Sequence, residues 1–198
     1  MKDLRCGKSS RKSNETEVLA EVHLRGESIS KINTGIGFFD HMLELMASHG
    51  GFEIHLTCKG DLDIDGHHTV EDCGIVLGKA FTEAIGRKEG ITRYGTAFIP
   101  MDESLAFVSI DVSGRPYLSF QAPSMLPLVG GFDTQLLEEF LRAFSTHCGL
   151  TLHATVLYGK NSHHMIEAVF KALGRALRQS VALEGGKREI PSTKGIID

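Results

Sequence analysis

Two histidine pairs, each followed by a glutamate, are the residues of this chain best suited to holding metal ions. The sequence HHTVE at residues 67–71 is matched by HHMIE at residues 163–167. On a helix, residues three or four positions apart share a face, so both histidines of a pair can lie near the same carboxylate. Adjacent histidines nevertheless point about 100° apart around the axis and therefore suit two different metal centres. The predicted ligands are His67, His68, Glu71, His163, His164 and Glu167.

The two motifs belong to an internal duplication of the chain. LGKA at residues 77–80 matches LGRA at 173–176, and FFDH at 38–41 matches LLEE at 136–139. A lone His-His-x-x-Glu would more often be a capping and solvated polar pattern, but its repetition in register favours metal binding. Each first helix can add one ligand, His41 in one half and the repeat-equivalent Glu139 in the other.

Four nitrogen or oxygen donors per ion, with room for water or substrate, would complete two centres. Such a set suits a catalytic six-coordinate ion such as manganese or iron and is compatible with zinc. The two motifs themselves contain no cysteine, which disfavours a structural zinc site. We therefore expect two divalent metal ions per active site.

Hydrophobic periodicity predicts the same order of elements in both halves. The predicted helices cover about residues 38–49 and 133–148, and a longer helix starts at each histidine pair. The predicted strands cover residues 17–24, 27–32, 52–59, 97–100, 104–112, 116–121 and 149–158. This pattern predicts an α+β fold with one repeat in residues 1–95 and the other in 96–198. Two such units could enclose their helices between two sheets and form one catalytic domain.

Composition excludes several classes of protein. The formal net charge of −4 argues against nucleic acid as the main partner. No apolar run approaches the roughly 20 residues that a membrane span requires. The four cysteines form no CxxC pair, which indicates reduced thiols and a cytoplasmic protein.

Four motifs together resemble the signatures of imidazoleglycerol-phosphate dehydratase. They are GFFDHML at residues 37–43, DGHHTVED at 65–72, KNSHHMIE at 160–167 and PSTKG at 191–195. The resemblance covers essentially the whole chain and implies a duplicated split β-α-β fold with manganese as the usual metal. It also implies a homo-oligomer, in which trimers assemble into a twenty-four-subunit shell with active sites at subunit contacts.

The activity implied by this resemblance is the removal of water from imidazoleglycerol phosphate, a step of histidine biosynthesis, to give imidazole acetol phosphate. Glu15 matches the family's acid/base residue and would contact the substrate, and it joins His67, Glu71, His163 and Glu167 as the implied catalytic set. Many members carry histidine where this chain has Glu139. A carboxylate can replace an imidazole at a manganese or iron centre, and the preceding Glu138 is an alternative ligand.

A phosphorylated substrate also requires cationic donors. Lys171 shares a helix stripe with Glu167 and His163, whereas its counterpart in the first half is Ile75. A basic residue in only one repeat suits a site with one phosphate end and one imidazole end. The resemblance adds further phosphate-binding residues, namely Arg93, Arg115, Ser192, Thr193 and Lys194.

Two other functions agree with paired metal ions. A di-metal hydrolase would activate water to cleave a phosphate ester. A metal-binding shell or storage protein would carry out no chemistry on the substrate. The products formed from imidazoleglycerol phosphate distinguish all three.

Overall fold

Both halves of the chain form the predicted alternation of strands and helices. The computed structural model describes residues 5–25, 29–185 and 189–197. The first half contains β1 (Cys6–Lys12), β2 (Thr16–His23), β3 (Lys31–Asn33), α1 (Gly37–Gly50), β4 (Glu53–Gly60) and α2 (His67–Ile85). The second half contains β5 (Tyr94–Met101), β6 (Ser104–Asp111), β7 (Tyr117–Gln121), β8 (Leu128–Val129), β9 (Phe132–Asp133), α3 (Leu136–Cys148), β10 (Thr151–Tyr158) and α4 (Ser162–Ser180).

Each half forms a four-stranded sheet with the same topology. The strand orders are β1-β2-β4-β3 and β5-β6-β10-β7. In both sheets the first three strands of that order pair antiparallel, and the last strand pairs parallel to its neighbour. The predicted α+β fold with an internal duplication is therefore confirmed.

The helices lie between the two sheets, as predicted. Alternate residues of the central strands are buried on the helix side: Val18, Ala20 and Val22 in β2, and Ala106, Val108 and Ile110 in β6. Helix α2 packs on the first sheet and α4 on the second. The helices also pair across the halves, α1 with α4 and α2 with α3. Each helix pair therefore joins elements of both repeats.

Two glycines allow these helix pairs to approach closely in the same way. A Cβ atom on Gly78 of α2 would lie 2.8 Å from the carbonyl oxygen of Phe144 in α3. A Cβ atom on Gly174 of α4 would meet the carbonyl oxygen of Met46 in α1. Gly78 and Gly174 are repeat-equivalent, and so are Phe144 and Met46. The two cross-repeat contacts are thus related by the duplication.

Some elements differ from those that periodicity predicts. Strand β1 was not predicted, because in CGKSSRK only Gly7 is buried and no apolar alternation exists. Charged residues are common on such edge strands, which must not pair with other chains. The two-residue strands β8 and β9 are too short to produce a periodic signal.

The predicted boundaries also shift at three places. The strand expected at 27–32 is observed as β3, and residues 27 and 28 lie outside the described residues. The helix expected from 133 begins at Leu136, because β9 occupies the preceding positions. Strand β5 begins at Tyr94, so the expected division after residue 95 falls just inside it. Within the described parts of the chain, no helix is long and apolar enough to cross a membrane.

Candidate metal centres

His41, His163 and Glu167 converge at the contact between α1 and α4. One possible ligand atom from each of the three lies within 4.8 Å of the others. His41 is exposed, His163 is half-buried and Glu167 is 8% exposed, so the group opens towards solvent on one side. Two imidazoles and a carboxylate with an open side form a donor set that fits a catalytic divalent ion. The group combines predicted ligands from both halves.

Capping interactions place the histidine pairs at the start of their helices. The side chain of Asn161 accepts a hydrogen bond from the His163 backbone N–H at 2.9 Å. Asp65 accepts one from the His67 backbone N–H at 2.7 Å. Because each histidine pair lies in the first turn of its helix, the motif glutamate follows one turn later on the same side. The Phe38 ring also packs edge-on against the imidazole of His163, with centroids 5.1 Å apart.

The Glu167 carboxylate is held between two cationic or potentially cationic groups. Its Oε2 atom lies 3.1 Å from Nε2 of His163, and its Oε1 atom lies 2.5 Å from Nζ of Lys171. Burial raises the pKa of Glu167, but the hydrogen bond and charge of Lys171, together with His163, outweigh that effect and leave the pKa lowered. Glu167 is therefore ionised at neutral pH, as a metal ligand must be.

His68 and His164 turn away from the first histidine of each pair. The rings of His67 and His68 are inclined by 87°, and those of His163 and His164 by 84°. Nδ1 of His68 lies 3.0 Å from Oδ2 of Asp61, and Nδ1 of His164 lies 2.7 Å from Oε2 of Glu103. The hydrogen bonds that these carboxylates accept from the two rings raise the pKa of both histidines. The two rings of each pair therefore have different orientations and partners, as the helical spacing predicts.

The repeat-equivalent group in the other half is not assembled. By the duplication, His67, Glu71 and Glu139 would correspond to His163, Glu167 and His41. Within the described residues, however, only His41, His163 and Glu167 bring their ligand atoms close enough together to share an ion. Glu139 instead lies 3.9 Å from Nε of Arg142. The neighbouring Glu138 forms an ion pair with the same arginine at 2.5 Å.

Glu15 lies at the same end of the first half as the histidine pair. It occupies the turn between β1 and β2, and its Oε1 atom is 3.8 Å from Nε2 of His68. Its side chain is half-exposed, so it remains accessible to a substrate. Without the family resemblance, the sequence does not indicate a function for Glu15, and the fold is what brings it close to His68.

The predicted phosphate-binding residues fall into two groups. Lys171 lies beside Glu167, and its ammonium group also contacts Sδ of Met101 at 3.3 Å. Arg93, in contrast, lies at the far end of α4, where its backbone N–H donates to the carbonyl of Ser180. From His163 to Ser180 a helix rises by roughly 25 Å. Arg93 is thus distant from the predicted metal ligands of its own chain.

Arg93 connects the second sheet to the C-terminal segment. Its guanidinium donates to both carboxylate oxygens of Asp111, at 2.7 and 3.1 Å, and to the carbonyl of Pro191 at 2.9 Å. The Asp111 hydrogen bond raises the pKa of Arg93. Ser192, Thr193 and Lys194 follow Pro191 directly. These three residues are therefore held at the same distant end of the molecule.

Arg115 is exposed beside the end of α3. The preceding residue, Gly114, donates its backbone N–H to the carbonyl of Gly149, which caps that helix. Strand β6 starts beside Glu103, which contacts His164. The strand ends at Asp111, which binds Arg93 and lies four residues before Arg115. The end of the chain that carries the predicted metal ligands (the metal end) is thus separated from the end that carries Arg93, Arg115 and residues 192–194 (the phosphate end) by the length of β6 as well as by that of α4.

A cavity of about 550 Å³ opens beside His163 and His164. Residues of the β8–β9 region, Leu126, Leu128 and Val129, form one wall. A larger cavity of about 700 Å³ lies by Phe52 and Arg178, and its lining contains none of the predicted ligands. The smaller of these two cavities is the one beside the candidate site, because the predicted ligands His163 and His164 line it.

Within the described residues, sequence reasoning missed three carboxylates that form hydrogen bonds with the side chains of predicted site residues. They are Asp61, Glu103 and Asp111. One signal was available for Glu103: it precedes β6 as Glu15 precedes β2, so the duplication relates the two. The other two carboxylates are recognisable only from the folded arrangement.

Known proteins share both the sequence and the fold of this chain. A family model described as imidazoleglycerol-phosphate dehydratase matches residues 34–177. A relative of that name from Clostridium botulinum (strain Kyoto / Type A2) is 59% identical over 187 residues, covering 94% of this chain and 95% of the relative. Another from Oceanobacillus iheyensis is 52% identical over 192 residues, covering 97% of this chain and 99% of the relative.

Solved structures agree with this match. The enzyme from Staphylococcus aureus subsp. aureus N315 superimposes with a TM-score of 0.80 at 43% identity, covering 90% of this chain and 99% of that one. The structure from Pyrococcus furiosus in complex with (S)-C348 gives a TM-score of 0.82 at 36% identity, covering 94% and 99%. The matches extend over nearly the full length of these relatives and include both histidine motifs. The chain therefore belongs to the imidazoleglycerol-phosphate dehydratase family, whose members are hydro-lyases.

Proposed function

We propose that this chain dehydrates imidazoleglycerol phosphate to imidazole acetol phosphate in histidine biosynthesis, using two divalent metal ions, Mn²⁺, per active site. The convergence of His41, His163 and Glu167 is the observation that carries the metal dependence. Imidazole and carboxylate donors without a thiolate suit manganese. A cytoplasmic location agrees with the four free cysteines.

The geometry supports a division of the ligands between the two ions. His41, His163 and Glu167 would hold one ion. The duplication places His67, Glu71 and Glu139 in the equivalent position for the other, with Glu138 as the alternative to Glu139. Each set supplies three protein donors, and rotation of the Glu139 side chain away from Arg142 would complete the second set.

His68 and His164 would complete centres in neighbouring subunits. Both turn away from the sets formed by their own helices, and their Nδ1 atoms already face carboxylates. Nε2 is therefore the atom that each ring offers to a metal ion. Such sharing requires a homo-oligomer, and the family resemblance suggests trimers that assemble into a twenty-four-subunit shell.

The phosphate-binding residues support the same sharing. Arg93, Arg115, Ser192, Thr193 and Lys194 lie roughly 25 Å from the metal-binding end of their own chain. One small substrate cannot reach both ends. A complete site would therefore combine the metal end of one subunit with the phosphate end of another, with Lys171 remaining on the metal side.

The side chains have separate tasks in the dehydration. Bound divalent ions supply positive charge that polarises the imidazole ring and stabilises negative charge developing on it. The cationic end holds the phosphate and so fixes the reacting carbons. Glu15 would take a proton from the carbon next to the one that bears the departing hydroxyl and would return a proton to that hydroxyl, which leaves as water. The resulting enol would tautomerise to the ketone.

The test is to incubate the Mn²⁺-loaded full chain with imidazoleglycerol phosphate and measure both ketone and inorganic phosphate. Formation of the ketone with the phosphate retained, and its loss after chelation, is the expected result. Release of inorganic phosphate would instead indicate a hydrolase. Neither product, with tight metal binding, would indicate a storage protein. Ketone formation by metal-free protein would overturn the metal dependence.

A further inference from the structure

Glu15 and Glu103 are repeat-equivalent carboxylates with different surroundings. Each immediately precedes the second strand of its repeat, β2 or β6. Glu103 lies against Nδ1 of His164, with Oε2 at 2.7 Å. Glu15 instead lies on the Nε2 side of the equivalent histidine, His68, at 3.8 Å. The two halves have therefore diverged at this position.

Asp61 occupies the place at His68 that Glu103 occupies at His164. Its two oxygens lie 3.0 and 3.3 Å from Nδ1 of His68. Asp61 follows β4, whereas Glu103 lies between β5 and β6, so the two carboxylates come from different positions in the repeat. The carboxylate that contacts Nδ1 of the second histidine thus comes from a different position of the repeat in each half.

We propose that Glu103 and Asp61 are positioning residues that fix the tautomer and orientation of His164 and His68, so that Nε2 of each ring is free to bind metal. A carboxylate accepts but does not donate, so a neutral ring facing it must carry its proton on Nδ1. The other nitrogen then has a lone pair for a metal ion. Because Asp61 orients His68, Glu15 is not required for that task.

Glu103 is the more rigidly held of the two. Its Oε1 atom accepts hydrogen bonds from the backbone N–H groups of Lys160 and Asn161, at 3.0 and 2.7 Å. The Ser104 hydroxyl donates to the same atom at 3.1 Å. With Oε1 occupied by these donors, only Oε2 faces His164. The two carboxylate oxygens therefore have distinct roles.

This difference predicts opposite behaviour for two isosteric substitutions. In Glu103→Gln, the amide oxygen must remain with the backbone donors, which leaves the NH₂ group facing Nδ1 of His164. The ring must then carry its proton on Nε2, where it blocks metal binding. In Asp61→Asn, both oxygen positions are near Nδ1 of His68, so the side chain can turn its oxygen towards the ring. Asp61→Asn should therefore preserve the tautomer.

The experiment compares the full-length wild type, Glu103→Gln and Asp61→Asn, with Glu17→Gln and Asp63→Asn as exposed controls. Manganese affinity is measured by paramagnetic resonance of free Mn²⁺. The tautomer is measured by ¹⁵N resonance of labelled histidines in metal-free protein at alkaline pH, with a His164→Gln variant to identify the signal. Thermal unfolding confirms that each variant folds.

The expected result for Glu103→Gln is a 10- to 100-fold loss of manganese affinity at the affected sites, with the His164 proton moved to Nε2. Asp61→Asn should lose less affinity and keep the wild-type tautomer, and the controls should match wild type. Unchanged affinity and tautomer in a folded Glu103→Gln would overturn the inference. It rests on the proposed metal dependence, which fails separately if the wild type itself binds no Mn²⁺.

Discussion

Glu167 and Lys171 form an ion pair through the carboxylate oxygen that does not face His163. The Nζ–Oε1 distance is 2.5 Å, and both side chains are largely buried. Lys171 therefore fixes the carboxylate with Oε2 turned towards His163. Its counterpart Ile75 cannot do this for Glu71, so only one of the two repeat-related sets carries such a pair.

Replacing Lys171 with Met should destabilise the metal-free protein by about 1–3 kcal/mol at neutral pH, because a buried carboxylate loses its partner. The pKa of Glu167 in the folded state is lowered below its ordinary value. The ion pair therefore stabilises the folded state fully at a pH above the ordinary pKa, and this stabilisation is lost as the pH falls through the folded-state pKa. Urea unfolding at pH 7 and at pH 4 measures this, and the destabilisation should be smaller at pH 4. Equal destabilisation at both would mean that lost packing, not charge, causes the effect.

Gly174→Ala should separate α1 from α4 and weaken the metal centre. The added Cβ atom would meet the carbonyl oxygen of Met46, a backbone atom that cannot move independently. Overpacking of this kind costs about 1–3 kcal/mol. His41 and His163 lie on the two helices concerned, so manganese affinity should fall together with stability.

Gly185→Ala is the matched control for that substitution, because among the described residues no atom beyond its chain neighbours lies within 4 Å of its added Cβ position. Urea unfolding and manganese titration of both variants test the prediction. A Gly174→Ala protein with wild-type stability and affinity would show that the close approach of α1 and α4 is not required.

Glu15→Gln should leave manganese content intact and reduce turnover by about 100- to 10,000-fold, the usual contribution of a positioned acid/base group. Glu15 is not among the proposed ligands, and Asp61 keeps His68 oriented in its absence. Metal analysis and steady-state kinetics measure the two effects. Glu17→Gln, at an exposed residue paired with Lys12, is the control. Unchanged turnover would exclude the acid/base role.

The placement of the two histidine motifs at helix starts was largely predictable from sequence, whereas the arrangement of the residues around them was not. The four-residue spacing of His163 and Glu167 determines their common helix face, and the duplication points to His41. Glu103 escaped notice because its contact with His164 depends on a turn 61 residues away. The remote position of Arg93 depends on a long-range hydrogen bond to Ser180. Strand β1 was missed because an edge strand with polar residues on both faces has no alternating pattern.

Mixing inactive subunits should restore activity if metal and phosphate residues of one site come from different chains. His163→Ala removes a metal ligand, and Arg115→Ala removes a phosphate donor at the distant end. After metal removal, mixing and reassembly with Mn²⁺, some sites should receive an intact His163 from one subunit and an intact Arg115 from another. Dehydratase assays of the mixture and of each variant alone test this. No recovery in a mixture shown by mass to contain both subunits would argue against shared sites.

The position of the bound ions is the most direct test of the proposed metal centre. Crystals grown with Mn²⁺ and measured at the manganese absorption edge would locate each ion by its anomalous signal. We expect one peak within bonding distance of His41, His163 and Glu167, and a second beside His67 and Glu71. The absence of a peak between His41, His163 and Glu167, in crystals of protein that is active and contains manganese, would contradict the proposal.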